Sequence, residues 1–395
     1  MRTMFPNRLI AGADLICFSH LRWDFVYQRP QHLMSRFARD RRVFFIEEPV
    51  EHAGEPGWVF TTVEENLIRC VPKLPDSIPE EHRIGALQFL VNILADKYEC
   101  HEAIQWFYTP MMLDWSVGLS PVATIYDCMD ELSKFRFAPG GIVELERRLF
   151  DKADMVFTGG HSLYKAKKEQ HGSVHEFPSS IDGPHFRRAL FERDELPEQV
   201  EMAHPRIGYA GVIDERIDLE MIAGAADLRP EWNFIMLGPV VKIDPDALPQ
   251  RPNIHYLGMK DYKDLPRYFA GWDVGMMPFA LNESTEFISP TKTPEYLAAG
   301  LPVVSTAITD VVRPYGELGL VEIASDAQDF VDSVDRAIRS DKVERLRSAD
   351  IFLSERSWDH TYRAMNKLIQ SLAKKPRNLE PTANVGQRPS FSYAA

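Results

Sequence analysis

Short, unbroken apolar runs alternate with amphipathic stretches along nearly the whole chain. A strand that is apolar at every position must be covered on both faces, and a parallel sheet clothed by crossover helices does that. In the first half the runs are Leu15–Phe18, Val43–Ile46, Leu67–Val71, Ile104–Tyr108, Val122–Tyr126 and Met155–Thr158. Helical patterns fall between them at Pro30–Arg39, Pro79–Lys97, Gly141–Asp151 and Ser162–Gln170. The second half repeats the alternation, with strands at Arg206–Ala210, Asn233–Leu237, Ile254–Leu257, Val274–Pro278, Pro302–Thr306 and Leu320–Ile323. Helices are expected near Asp218–Leu228, Lys263–Gly271 and Pro294–Ala299, and they dominate from Ala327 to Ala373. The expectation is an α/β protein made of two doubly wound, Rossmann-like parallel-sheet domains facing a cleft. Residues 177–204 carry Pro178, Asp182-Gly183-Pro184, a charged run and Pro197, and Pro205 follows, which is linker composition. The first domain is therefore placed at 1–185 and the second at 200–355, with a polar, Pro-bearing tail at 375–395 expected to be disordered.

A length of 395 residues suits two cores better than one. The net charge of −13 argues against a nucleic-acid partner and against a polybasic membrane anchor. One basic stretch, Arg36, Arg39, Arg41 and Arg42, reads either as a solvated helix end or as an acceptor- or membrane-facing patch. Cys17, Cys70, Cys100 and Cys128 show no CxxC spacing and read as reduced, buried thiols rather than disulfides or a zinc site. Leu15-Ile16-Cys17-Phe18 reads as a first strand and not as a signal peptide, since Asp14 interrupts the apolar run. No segment approaches the roughly 20 apolar residues of a membrane span. The expected location is the cytoplasm, with peripheral contact at the inner face of the plasma membrane left open.

Chemistry concentrates in Ser289-Pro290-Thr291-Lys292-Thr293-Pro294-Glu295, followed by Gly300 and the strand Pro302–Thr306. Pro is tolerated at a first helical position, so a helix is expected to start at Pro294 with Thr293 as its N-cap and Gly300 as its stop. The amides of Thr291, Lys292 and Thr293 would then lie where a helix attracts anions, and Lys292 adds a full charge, which suits a diphosphate. The alternative is an ordinary loop, helix and strand with an exposed lysine. Gly211 follows the first strand of the second half, where a missing side chain permits close approach of a phosphate or sugar, or simply a tight turn. Arg216, in the same loop, either faces the ligand or pairs with Asp214 or Asp218. His20, Arg22, Trp23, Asp24 and Arg29 crowd the loop after the first strand and are candidate acceptor contacts, or else a capping network. His161 is a further cleft candidate or a helix cap. Lys242 reads as a surface lysine, and Asp244-Pro245-Asp246 matches a DxD metal motif by letters only.

The run Pro294-Glu295-Tyr296-Leu297-Ala298-Ala299-Gly300-Leu301-Pro302-Val303-Val304 resembles the donor-binding signature of retaining GT-B glycosyltransferases of family 4. Over roughly residues 12–370 the chain is similar to a bacterial subgroup of teichuronic acid and exopolysaccharide glycosyltransferases. Ser19–His32, Tyr126–Glu131 and Gly211–Arg216 support that likeness. The resemblance implies a sugar donor linked to UDP or GDP, a saccharide or lipid-linked acceptor, no cofactor and no bound metal. It implies that Glu295 holds the ribose hydroxyls, that Arg216 and Lys292 face the diphosphate, and that Asp127 and Asp130 lie beside the reacting centre. It also implies a closing helix at 356–374 that crosses back to the first domain, with Trp358 packing there. The family pairs two glutamates eight residues apart, but Phe287 stands eight before Glu295, Glu286 nine before and Glu283 twelve before. Either a bulge lets Glu286 hold the donor sugar, or the main chain of Phe287–Ser289 does. The rival readings are a catalytically degenerate GT-B binding subunit and a GT-B sugar-nucleotide epimerase. A dehydrogenase is disfavoured because no GxGxxG follows the first strand of either half.

Overall fold

The computed structural model describes residues 10, 12–192, 194 and 196–372, so the tail expected at 375–395 lies outside the described residues. The first sheet contains β1 (Leu15–Phe18), β2 (Val43–Ile46), β3 (Val50–Glu51), β4 (Gly57–Glu64), β5 (Leu67–Leu74), β6 (Ile104–Phe107), β7 (Ala123–Cys128), β8 (Met155–Thr158) and β9 (Val174–Glu176). They lie in the order β3-β5-β2-β1-β6-β7-β8-β9, and β4 adds to β5 as the antiparallel member. The second sheet contains β10 (Arg206–Ala210), β11 (Asn233–Leu237), β12 (Ile254–Gly258), β13 (Val274–Met277), β14 (Val303–Thr306) and β15 (Glu322–Ala324). Its order is β12-β11-β10-β13-β14-β15, parallel throughout. Both orders reverse next to the first strand of the half, which opens a crevice beyond the strand ends.

The apolar runs fill both faces of their sheets as expected. Along β1, Ile16 and Phe18 belong to the core on one face, and Leu15 and Cys17 to the core on the other. The strands missed by the sequence reading, β3, β4 and β9, lie at the edges of the first sheet. In β4, Trp58 and Phe60 pack inward while Val59 is exposed, an alternation of period two that a search for unbroken apolar runs passes over. All four cysteines are buried and free.

The stretch read as a linker is not loose. It forms short helical turns at Gly183–Phe186, Arg187–Leu190 and Pro197–Val200. Ile181, Phe186 and Ala189 belong to the core of the second domain. Three buried apolar side chains outweigh the turn-forming glycine and prolines beside them.

The last described helix, Trp358–Leu372, repeats apolar residues at helical spacing. Trp358, Met365 and Ile369 enter the core of the first domain, and the Trp358 ring stacks on His32 at 4.7 Å. The basic stretch is absorbed in this contact rather than left as a patch. Arg36 bonds Asp359 at 3.0 Å, Arg39 pairs with the same carboxylate, and Arg41 donates to Asn366 at 3.1 Å. Arg42 pairs with Asp14 at 2.6 Å.

Candidate active site

The loops at the C-terminal ends of β1, β7, β10, β11 and β13 meet between the two sheets. They enclose three lobes of about 540, 340 and 100 Å³, and Gln28 and Arg216 border all three. The loop carrying Arg216 is pinned at both ends. Ile213 pairs with Val240, Ile217 with Phe279, and the Ala280 amide donates to the Arg216 carbonyl at 2.8 Å.

Lys292 borders the largest and smallest lobes, with its ammonium 5.3 Å from the Tyr209 ring centre and 5.9 Å from that of Phe279. Gly211 makes room for it. A Cβ at position 211 would stand 2.2 Å from Lys292 Cε and 2.5 Å from Nζ. Gly238, which the sequence reading missed, performs the same service one layer down, since a Cβ there would stand 1.8 Å from the Gly211 carbonyl oxygen. Burial pushes the Lys292 ammonium below its ordinary pKa, opposed by Glu295. Burial pushes the Glu295 carboxyl up, opposed by Lys292 and by a hydrogen bond with Thr291. Each group thus favours the charged form of the other, against the burial that opposes it.

The helix here runs Lys292–Ala298 with Thr291 at its N-cap, two residues earlier than expected. Thr293 is therefore not the cap. Its side chain is fully buried with the hydroxyl on Met277 sulfur at 3.3 Å, which removes it from the ligand-facing set. Ser289 and Thr291 do border the small lobe. Glu286 is exposed beside a separate shallow pocket with Asn282 and Thr309, so of the two readings of the missing glutamate the structure favours the main chain near Ser289.

Arg216 pairs with Asp214 through Nε at 2.9 Å and Nη2 at 2.6 Å. The pairing offered as an alternative is thus present, yet it leaves Nη1 outside the pair and keeps the guanidinium on the cleft wall. Asp130 borders the two smaller lobes. Burial raises its carboxyl above the ordinary range, with Arg216 and then Arg29 pulling it back.

Several first-domain candidates are committed elsewhere. Arg29 grips Asp127 in a fully buried ion pair, Nη2 to Oδ1 at 2.7 Å, and donates to the Phe177 carbonyl at 2.7 Å. Asp127 is therefore a structural counter-ion and not a base at the reacting centre, although Arg29 still borders the small lobe. Arg22 is spent on Glu47 and on the Glu48 carbonyl, at 3.2 and 2.6 Å. Trp23 packs edge-on against Phe45, and Asp24 pairs with Arg69, while both border the largest lobe. His161 faces Glu176 at 3.0 Å and does not cap its helix; Asp310 of the second domain accepts the Ser162 amide instead, at 3.0 Å. His20 borders the 340 Å³ lobe, where burial and then Lys242 hold its pKa down to about 4. Lys242, read as a surface lysine, is exposed as expected and borders the same lobe on a left-handed backbone, φ +62°. Asp244 only caps the turn Pro245–Ala247. Among the described residues no group of three or more His, Cys, Asp or Glu is placed to hold a metal ion.

Residues 204–340 match the family described as glycosyl transferases group 1. The matched stretch lies within the second domain, which is thus similar to group 1 glycosyl transferases. The chain is also 29% identical over 216 residues to TuaH of Bacillus subtilis (strain 168), assigned as a teichuronic acid biosynthesis glycosyltransferase. That match covers 48% of this chain, and the chain spans about half the length, 53%, of that relative. An α,α-trehalose-phosphate synthase (UDP-forming) from Burkholderia xenovorans, in complex with glucose-6-phosphate, superposes with a TM-score of 0.67 at 12% identity, over 91% of this chain and 100% of that one. A sucrose-phosphate synthase from Thermosynechococcus elongatus gives 0.64 at 13% identity over 91% and 99%. An E. coli structure bound with UDP-2-fluoro glucose gives 0.66 at 12% identity over 91% and 99%. At such identities the likeness carries the fold. That fold is GT-B, two Rossmann-like parallel-sheet domains, as the sequence resemblance implied.

Proposed function

We propose that the protein moves a glycosyl group from a nucleoside-diphosphate sugar to a hydroxyl acceptor in cell-surface polysaccharide or glycolipid synthesis. One observation carries this reading: Lys292 and Arg216, from separate loops of the second domain, border the same small lobe beside Asp130. In the transfer, the bond from the anomeric carbon to the diphosphate oxygen breaks and a bond to the acceptor oxygen forms. The charge left on the diphosphate is met by two fixed cations, the kind of preorganised stabilisation that contributes most in such steps. The acceptor's proton passes to the departing diphosphate oxygen, so the configuration is retained without a dedicated base. Asp130 orients the acceptor hydroxyl, and it becomes the general base if the product proves inverted. Glu295, in the largest lobe, is assigned to the ribose hydroxyls, and UDP or GDP to the donor, with UDP first because the E. coli neighbour holds a UDP sugar. We assign no resident metal or organic cofactor, since Lys292 and Arg216 supply the charge the diphosphate needs. The reaction is placed in the cytoplasm, with peripheral contact at the membrane; among the described residues no helix is long and apolar enough to cross one.

The test is calorimetric titration with UDP and GDP, followed by mass spectrometry of nucleotide-sugar consumption with and without saccharide and lipid extracts. If neither nucleotide binds and no donor is consumed, the catalytic reading fails and the binding-subunit reading replaces it. Donor turnover without any acceptor would instead indicate an epimerase.

A further inference from the structure

The lobe of about 340 Å³ has an unexpected character for a site that handles only sugars. Its wall takes Leu21 and Phe25 from the loop after β1, Leu132, Phe135 and Phe137 from the segment after β7, and Val241 from the loop after β11. The lobe is two-sided, because Gln28, Glu48, Thr109, Asp130, Asp214 and Glu215 also border it, and the apolar side gives hydroxyl groups no hydrogen-bond partner. Two of the cations that border the lobe lie over its aromatic rings: Lys242 Nζ is 5.3 Å from the Phe135 ring centre and the Arg136 guanidinium 5.1 Å from that of Phe137. His20 stays neutral under burial and the nearby Lys242 charge.

Backbone strain points to the same place. Among the described residues, the non-glycine residues with positive φ are Glu99, Phe137 and Lys242, and the last two both border this lobe. A left-handed Phe is costly, and Phe137 spends that cost holding a ring that is 73% exposed at the lobe. A ring kept in water by a strained backbone is poorly explained by packing and well explained by a ligand that covers it.

We propose that this lobe seats an apolar arm of the acceptor, an alkyl chain or an aromatic ring carried close to the hydroxyl that receives the sugar. Asp130 and Arg216 border both this lobe and the small lobe that holds Lys292. An arm seated here therefore sets its hydroxyl at the shared boundary, beside the departing diphosphate. The volume lies at the lower end for small-molecule pockets, enough for a short apolar segment and not for a whole long lipid. The role given to the hydroxyl rests on the proposed function; the apolar preference does not.

The test therefore reads binding rather than turnover. The full chain is titrated with 1-butanol, 1-hexanol and 1-octanol, and in parallel with phenol and 4-ethylphenol, by ligand-observed NMR. Affinity is expected to rise roughly threefold to fourfold per methylene until the lobe is full. A steeper gain along the alkanols identifies a chain, and tighter binding of the phenols than of hexanol identifies a ring. Phe137→Asn removes the ring while keeping a side chain that accepts the left-handed backbone. It should weaken hexanol binding at least threefold, and Leu132→Ser should do the same from the opposite end of the segment. Affinities that do not change with chain length, or hexanol binding that is the same in wild type and both variants, overturn the proposal. Failure of UDP to bind would sink the donor reading alone and leave this measurement standing.

Discussion

One methyl group at Gly211 is a sharper probe of the site than removal of any charge. In Gly211→Ala the new Cβ would lie 2.2 Å from Lys292 Cε, 2.5 Å from Nζ and 3.0 Å from the Tyr209 hydroxyl. Ordinary carbon contacts are about 3.5–4.0 Å, so the end of the lysine must retreat by more than about 1 Å while its charge survives. A misplacement of about 1 Å at a catalytic group costs on the order of 100-fold in rate. Gly211 also has φ +155°, so the alanine adds backbone strain on the order of 1–2 kcal/mol to stability. Lys292→Met removes the charge itself and should cost about 100- to 1000-fold in kcat. Because the alanine acts through the lysine, the double variant should be no slower than Lys292→Met alone, a strongly non-additive cycle. The assay is kcat at saturating donor for all four proteins, with urea unfolding to confirm that each is folded. If the two losses multiply in the double variant, or if Gly211→Ala works at the wild-type rate, Lys292 is not held where the chemistry needs it.

The buried pair Arg29–Asp127 should behave as a structural unit. Arg29→Met leaves a carboxylate stranded and should cost about 3–5 kcal/mol in urea unfolding, whereas Arg29→Met with Asp127→Leu should restore most of it; equal stability of the two variants would contradict the pairing. His20 has its folded pKa held down to about 4 against an ordinary 6.5, so the unfolded chain binds the extra proton first. Its contribution is complete above pH 6.5 and fades as pH falls toward 4, by up to about 3 kcal/mol, and His20→Gln should flatten that part of the stability profile. An arriving diphosphate should raise the depressed pKa of Lys292, so UDP binding takes up protons; calorimetry at about pH 8.5 in buffers of different ionisation enthalpy should show uptake, and zero exchange or release would contradict the assignment.

Much of the fold could be read from local pattern, because a strand such as Val43–Ile46, apolar at every residue, has few other ways to be covered. The start of the signature helix could not. By its sequence Pro294 reads as the first helical residue, yet it stands third, behind Lys292 and Thr293. The first-turn amides lack helical partners anyway, so proline fits any of those positions, and sequence alone does not choose among them. That Lys292, Glu295 and Arg216 border one crevice could be anticipated, because they sit in or beside the recognisable segments. The fates of Arg29 and Asp127 were not, since a contact 98 residues apart leaves no local trace. Lys242, read as a surface lysine, is exposed, but nothing in Val241-Lys242-Ile243 announces its left-handed backbone beside the 340 Å³ lobe.

The helix Trp358–Leu372 has a consequence for how the chain is made. The second domain is continuous from Ile181 to Leu353 and can complete its interior as soon as it is synthesised. The first domain, though made earlier, has to wait with the floor beneath Arg29–Phe37 uncovered until Trp358, Met365 and Ile369 arrive. Birth order and completion order are therefore opposite. Ribosome-stalled chains ending before Trp358 should hold a protease-resistant second domain beside a first domain that is still cleavable, sealed only when the final helix arrives.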